Sequence, residues 1–212
     1  MLPERLLLAG SLLVASAGCT SPTSTQSPPD SPQAGVASEK GQFAVGDTAP
    51  RFEGLIGVDD QRHSLEDYAD AKAIAIVFTC NHCPVAVDYE DRLVALHNDY
   101  ADKGGQLVAI NVNNLEADRL PAMKQLAEEK GFDFPYLYDL TQKVGRDYQA
   151  TVTPHAFLLD AERRLAYVGP IDDSQAGQVT QDYRRDAIDA VLAGKAPTVA
   201  SENPFGCGIK YE

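Results

Sequence analysis

The chain has 212 residues, 44% of them hydrophobic and 23% charged, which suits one globular domain with a full core. The formal net charge is -13. The first forty residues set only Arg5 and Lys40 against Glu4, Asp30 and Glu39, so the acidity belongs to the remainder of the chain, and such a surface repels phosphate backbones and argues against a nucleic-acid partner.

Residues 1–18, MLPERLLLAGSLLVASAG, open with Arg5, run apolar from Leu6 to Ala15 and end in small residues. This is the layout of a secretory signal and is short for a bilayer span. Cys19 comes directly after Ala17-Gly18, which resembles a bacterial lipoprotein signal in which that cysteine is lipidated, although Ser16 stands where the pattern prefers a branched aliphatic residue. In residues 19–42, about half the positions are Ser, Thr or Pro and Val36 is the one large apolar side chain. Such a segment buries too little surface to offset its ordering entropy and is expected to be a disordered tether. The expectation is an exported domain, residues 43–212, held in the bacterial cell envelope by a lipid anchor and facing the periplasm.

Within that domain, the apolar run 71–78 (AKAIAIVF) predicts a strand buried on both faces. After Pro84, Val85, Tyr89, Leu93, Leu96 and Tyr100 form one helical stripe that Gly104-Gly105 ends. Residues 106–113 predict the next buried strand and Leu120–Lys130 a helix stopped by Gly131. A short strand at 134–139, a helical turn at 141–148, a hairpin of 155–160 with 164–169 and a closing helix at 181–194 complete the order. Two buried strands joined by a helix imply a parallel pair with a right-handed crossover, and the hairpin makes the sheet mixed. The fold class is α/β, a central mixed sheet flanked by helices.

Four cysteines, Cys19, Cys80, Cys83 and Cys207, are too few for a disulfide framework in a chain of this length and are read as individual sites. Cys80 and Cys83 stand in FTCNHCPV, residues 78–85, directly after the first strand of a βαβ unit, the setting of a thioredoxin-like redox motif.

The element order and four segments resemble the thioredoxin superfamily, specifically its redoxin branch of AhpC/TSA and peroxiredoxin-like proteins. The segments are VGDTAPRFEGLIGVDDQRHSLEDY (45–68), FTCNHCPV (78–85), VTPHAFLLD (152–160) and FGCGIKY (205–211), and they bracket most of 43–212. The resemblance implies a thioredoxin-like fold and a thiol–disulfide oxidoreductase or antioxidant redoxin with no cofactor beyond a redox-active Cys80–Cys83 disulfide. It implies that Pro154 is a cis-proline covering the cysteines and that Thr153 offers its backbone to a substrate by strand addition. Cys207 is then a candidate third thiol that takes a disulfide from the pair. Partners would be thiols or disulfides of exported proteins, or a peroxide, with a further thiol protein as electron donor.

A thiolate is the attacking form of cysteine, and a free thiol titrates near ~8.5. Both cysteines fall where a helix begins, and a protonated His82 between them would favour the anion. If Cys80 is the helix cap, it is the exposed nucleophile and Cys83 resolves it. If Cys83 is the cap, Pro84 takes its preferred first helical position and Cys83 sits where peroxiredoxins hold their peroxide-reactive cysteine. Neither pattern is complete: Cys80 replaces the peroxiredoxin hydroxyl, Thr79 stands in place of a thioredoxin Trp, and Ile74 occupies the place of a buried acid. Two thiols at this spacing favour disulfide exchange, with Cys80 attacking and Cys83 resolving; a peroxidase using Cys83 is the alternative. A copper- or zinc-binding accessory protein using Cys80, Cys83 and His155 is the reading from another class. His63 and His97 carry no expected role, and Asp88, Glu90 and Asp91 read as an exposed helical face.

Overall fold

The structure is a computed structural model that describes residues 41–175 and 177–212. The signal, Cys19 and nearly all of the tether lie outside the described residues. β3 (Ala73–Phe78) is an interior strand of a seven-stranded sheet, and all six of its residues are buried. Alternate side chains serve opposite faces: Ala73, Ala75 and Val77 enter one core, and Ile74, Ile76 and Phe78 the other. β4 (Gly105–Asn111) pairs with β3 in parallel, with Phe78 opposite Ile110, and β5 (Tyr136–Tyr138) continues the parallel set. On the other side, β7 (His155–Leu159) runs antiparallel to β3 and pairs in turn with β8 (Leu165–Gly169). The sheet is mixed, as expected.

The far edge carries a hairpin that the apolar pattern does not announce, β1 (Leu55–Gly57) with β2 (Arg62–His63), joined to the sheet through β5. These strands are short and half-exposed, so they lack the long apolar run that marks β3 and β4. His63 sits there, with its Nδ1 3.0 Å from Tyr68 Oη and its Nε2 3.1 Å from Asp59.

Three helices cover one face: α2 (Glu90–Tyr100) through Leu93 and Leu96, α3 (Leu120–Lys130) through Met123 and Ala127, and α5 (Tyr183–Leu192) through Ala187 and Ile188. The bounds of α3 match the sequence expectation; Gly131 ends it in the left-handed conformation at φ 65°. The other face holds α4 (Lys143–Asp147), Phe52 and Leu65. The helix expected from Val85 to Tyr100 is instead two. α1 (Pro84–Val87) stops, and Tyr89 becomes the N-cap of α2. Tyr89 stays fully buried, so the apolar stripe continues through the break and conceals it in the sequence. Its hydroxyl donates to buried Asp172 at 2.8 Å, which ties the break to the loop after β8. Glu90 also departs from expectation: it is buried and ion-paired with Lys130 at 2.9 Å. His97 packs on Phe134, with ring centroids 5.8 Å apart.

Candidate redox site

β3 ends at Phe78, and the Thr79 N–H still donates to the Ile110 carbonyl across the sheet at 2.9 Å. The chain then leaves the sheet, passes Cys80, Asn81 and His82, and enters α1. Cys83 is the N-cap, extended at φ -78° and ψ 119°, and Pro84 is the first helical residue. Of the two caps that Pro84 allows, the second sulfur holds the position, where a missing N–H costs nothing. Cys83 is fully buried, and its carbonyl accepts from the Val87 N–H at 3.0 Å.

The opposite wall comes from residues 151–155. The Thr153–Pro154 peptide bond is cis, as the resemblance implies. Thr153 Oγ1 lies 3.1 Å from Cys80 Sγ, and the Thr153 carbonyl oxygen lies 3.3 Å from Cys83 Sγ. One threonine therefore contacts both sulfurs.

The expected edge for a substrate is already taken. β6 (Val152–Thr153) pairs antiparallel with β9 (Cys207–Gly208), with Thr153 opposite Cys207. The pairing carries Cys207 onto Cys83, with their Cα atoms 6.0 Å apart, and the two are joined in a disulfide. This corrects the expected Cys80–Cys83 bond: Cys83 has Cys207 as its partner, and Cys80 is a free, buried thiol. It also corrects the expectation that Thr153 presents an unpaired backbone. The tail is anchored on both sides of the cysteine. Upstream, the Glu202 N–H donates to Val168 O at 3.0 Å; downstream, the Ile209 N–H donates to Thr151 O at 2.9 Å and Tyr211 Oη to Ala150 O at 2.7 Å. Gly206 is required for this approach, because a Cβ there would overlap the Thr153 carbonyl oxygen.

The His82 ring is engaged by a carboxylate. Its Nδ1 turns to Asp118 Oδ2, 2.5 Å away, and Asp118 is completely buried. Asp118 comes from the loop between β4 and α3 and had no signal of its own among many acids. Its second oxygen accepts from the Asn81 N–H at 2.8 Å. Asn111, buried at the end of β4, donates to the Asp118 carbonyl at 3.2 Å and to Tyr136 Oη at 3.2 Å, while Tyr136 Oη donates to Asn81 Oδ1 at 2.7 Å. A polar residue closing an apolar strand is the one sequence feature that marks this network.

Burial pushes the Cys80 thiol up. The Thr153 hydroxyl acts downward, the Asp118 carboxylate acts upward, and the backbone N–H groups of Cys83 and His82 act downward. Burial and the nearby carboxylate prevail, so with Cys83 bound to Cys207 the Cys80 sulfur is held as a thiol.

The alternative metal set of Cys80, Cys83 and His155 is not assembled. Cys83 has spent its sulfur on Cys207. His155 Nδ1 accepts from the Thr151 N–H at 3.3 Å, and burial holds the ring down from 6.5 to about 4, so it is neutral. Among the described residues it is instead Cys80, His82 and Asp118 whose side-chain S, N and O atoms lie within 4.8 Å of one another.

A free thiol beside a disulfide, held at a strand–helix junction under a cis-proline, is equipped for sulfur exchange. Known proteins point the same way. The AhpC/TSA family model matches residues 45–168. The chain belongs to the AhpC/TSA family. Two solved structures share the fold closely, both with a TM-score of 0.76. An uncharacterized conserved protein from Geobacillus kaustophilus is 40% identical, over 80% of this chain and 93% of that one. A hypothetical protein from Sinorhizobium meliloti 1021 is 34% identical, over 81% and 97%. A thiol:disulfide interchange protein of the thioredoxin family from Chlorobium tepidum TLS, 23% identical with a TM-score of 0.56 over 72% and 98%, shares the fold. No curated protein matches the chain in sequence.

This AhpC/TSA-family geometry can be tested at Gly206 and at His155. Gly206→Ala places a Cβ against Thr153 O and should separate Cys207 from Cys83. Non-reducing peptide mapping should then find far less of the Cys83–Cys207 bond than in the parent; an equal amount would refute the close-approach argument. For His155, the unfolded ring binds its proton near pH 6.5 and the folded ring only near 4. Between these values the unfolded chain holds more protons, so this contribution is present above about pH 6.5 and lost as pH falls toward 4. Urea unfolding at pH 7 and pH 4.5 should show the parent losing about 2 kcal/mol more than His155→Gln; identical losses would contradict the neutral buried ring.

Proposed function

We propose that this redoxin is a thiol–disulfide oxidoreductase in which Cys80 meets the partner and the resulting disulfide is stored between Cys83 and Cys207. The observation that carries the reading is the free Cys80 thiol beside a Cys83 sulfur that already has a second partner. In the reduced protein, the Cys80 thiolate attacks a partner disulfide, forming a mixed disulfide and releasing one partner thiol. Cys83 attacks the Cys80 sulfur, which releases the second partner thiol and closes Cys80–Cys83. Cys207 then attacks Cys83, forming Cys83–Cys207 and returning Cys80 as a thiol. The partner gains two electrons, Cys83 and Cys207 lose two, and a dithiol donor resets them. The Cys80–Cys83 couple expected from sequence thus becomes an intermediate rather than the resting bond.

A peroxide in place of the partner disulfide is the second reading. It is favoured by the AhpC/TSA match, and Thr153 Oγ1 offers Cys80 Sγ a hydroxyl at 3.1 Å. The signal-like residues 1–18 and Cys19 support a lipid-anchored protein in the periplasm acting on exported thiols; among the described residues no helix is long and apolar enough to cross a membrane.

The test is turnover of a small disulfide by the fully reduced protein. Cys80→Ser should fall to background, whereas Cys207→Ser should still turn over once and accumulate Cys80–Cys83 by peptide mapping. Full activity in Cys80→Ser would overturn the assignment.

A further inference from the structure

The superfamily's buried acid is missing at Ile74, yet a fully buried carboxylate stands at the same sulfur from another direction. Asp118 reaches the site from the β4–α3 loop, and its carboxylate, the His82 ring and Cys80 Sγ lie within 4.8 Å of one another. We infer that Asp118 and His82 form the proton-handling pair of this site: they accept the Cys80 proton when Cys80 attacks, and return it to the departing thiolate. This rests on the reading of Cys80 as the attacking thiol.

Three features carry the inference. Asp118 is fully buried, while the His82 side chain is 34% exposed, so the pair spans from the interior to solvent. The carboxylate is held by the Asn81 N–H, and its backbone carbonyl by Asn111. Asn81, His82 and Cys80 share one short loop, so a hydrogen bond to Asp118 also sets the sulfur. Within the cluster the ring nitrogen and the carboxylate oxygen are bonded to one another at 2.5 Å.

The step balances. Cys80–SH gives its proton to the pair, and the sulfur electron pair attacks one sulfur of a disulfide. That S–S bond breaks, and the leaving thiolate takes the proton from the pair. A proton acceptor is needed because burial and the Asp118 charge both hold Cys80 as a thiol. Other titratable groups facing the site are Tyr136 and Tyr138 on β5, Glu90 on α2 and His155 beside Pro154. The tyrosines are raised, chiefly by burial, and His155 is neutral, so none of these three carries charge into the exchange. Glu90 is engaged by Lys130.

The test compares two reactions of Cys80 in the full chain with Cys83–Cys207 intact, each taken as the part lost in Cys80→Ser. Iodoacetamide alkylation releases iodide and needs no proton returned. Exchange with glutathione disulfide releases a basic alkyl thiolate. For Asp118→Asn, alkylation at pH 7 should stay level or rise, because a charge that disfavours the thiolate is gone. Exchange should slow about tenfold or more, with the deficit closing above the ordinary thiol range. His82→Gln should behave similarly, and Asp118→Glu should restore part of the rate. Exchange equal to the parent at every pH would overturn the inference. So would alkylation and exchange falling by one common factor, the mark of a structural role, or a parent rate that a chelator abolishes, the mark of a metal. A parent with no exchange in this oxidised state would overturn the inference as well, whereas a fully reduced parent that fails to turn over a small disulfide would remove the proposed function.

Discussion

Val152 and Thr153 hydrogen-bond with Cys207 and Gly208 in two strands of two residues each, and this pairing decides which sulfurs meet. Without it, Cys207 would lie near a free chain end and Cys83 would have Cys80 as its nearest thiol. With it, Cys207 is brought opposite Thr153, Cys83 is bonded across the cap of α1, and Cys80 is left as a thiol. The pairing depends on a glycine at 206 and on tail anchors reaching β8 and the Ala150–Thr151 backbone. The resemblance implies that an incoming strand adds at the β6 edge. Here the chain supplies the strand itself.

The sheet was legible where burial is complete. β3 and β4 stand out because both faces are covered, so their residues are apolar without alternation. α3 was legible to the residue because Gly131 ends it. The β1–β2 hairpin was not, since short half-exposed strands leave no apolar run, and neither was the break at Tyr89, where a buried ring keeps the helical period while the backbone interrupts it. The two cysteines and Pro154 could be found because spacing and neighbours identify them.

Asp118 and the Cys83–Cys207 bond could not be found in that way, for two reasons. Asp118 belongs to a loop adjacent to Cys80 only because β4 lies beside β3 in parallel register. Cys207 lies 124 residues from Cys83, in a Gly-Cys-Gly segment with no strand propensity of its own. Asn111, a fully buried amide at the end of an apolar strand, is the residue whose hydrogen-bonding demand Asp118 and Tyr136 meet.

The electrostatics come from the same arrangement. Taking Cys80 out of water and setting a carboxylate near it opposes the thiolate, while Thr153 and two backbone N–H groups oppose that trend only in part. The most direct measurement is peptide mapping of the purified, air-oxidised full chain, alkylated at low pH without reduction. A Cys83–Cys207 cross-link with Cys80 carrying the alkyl group is the predicted result. A Cys80–Cys83 cross-link with Cys207 alkylated would contradict the assignment of the disulfide on which the rest depends.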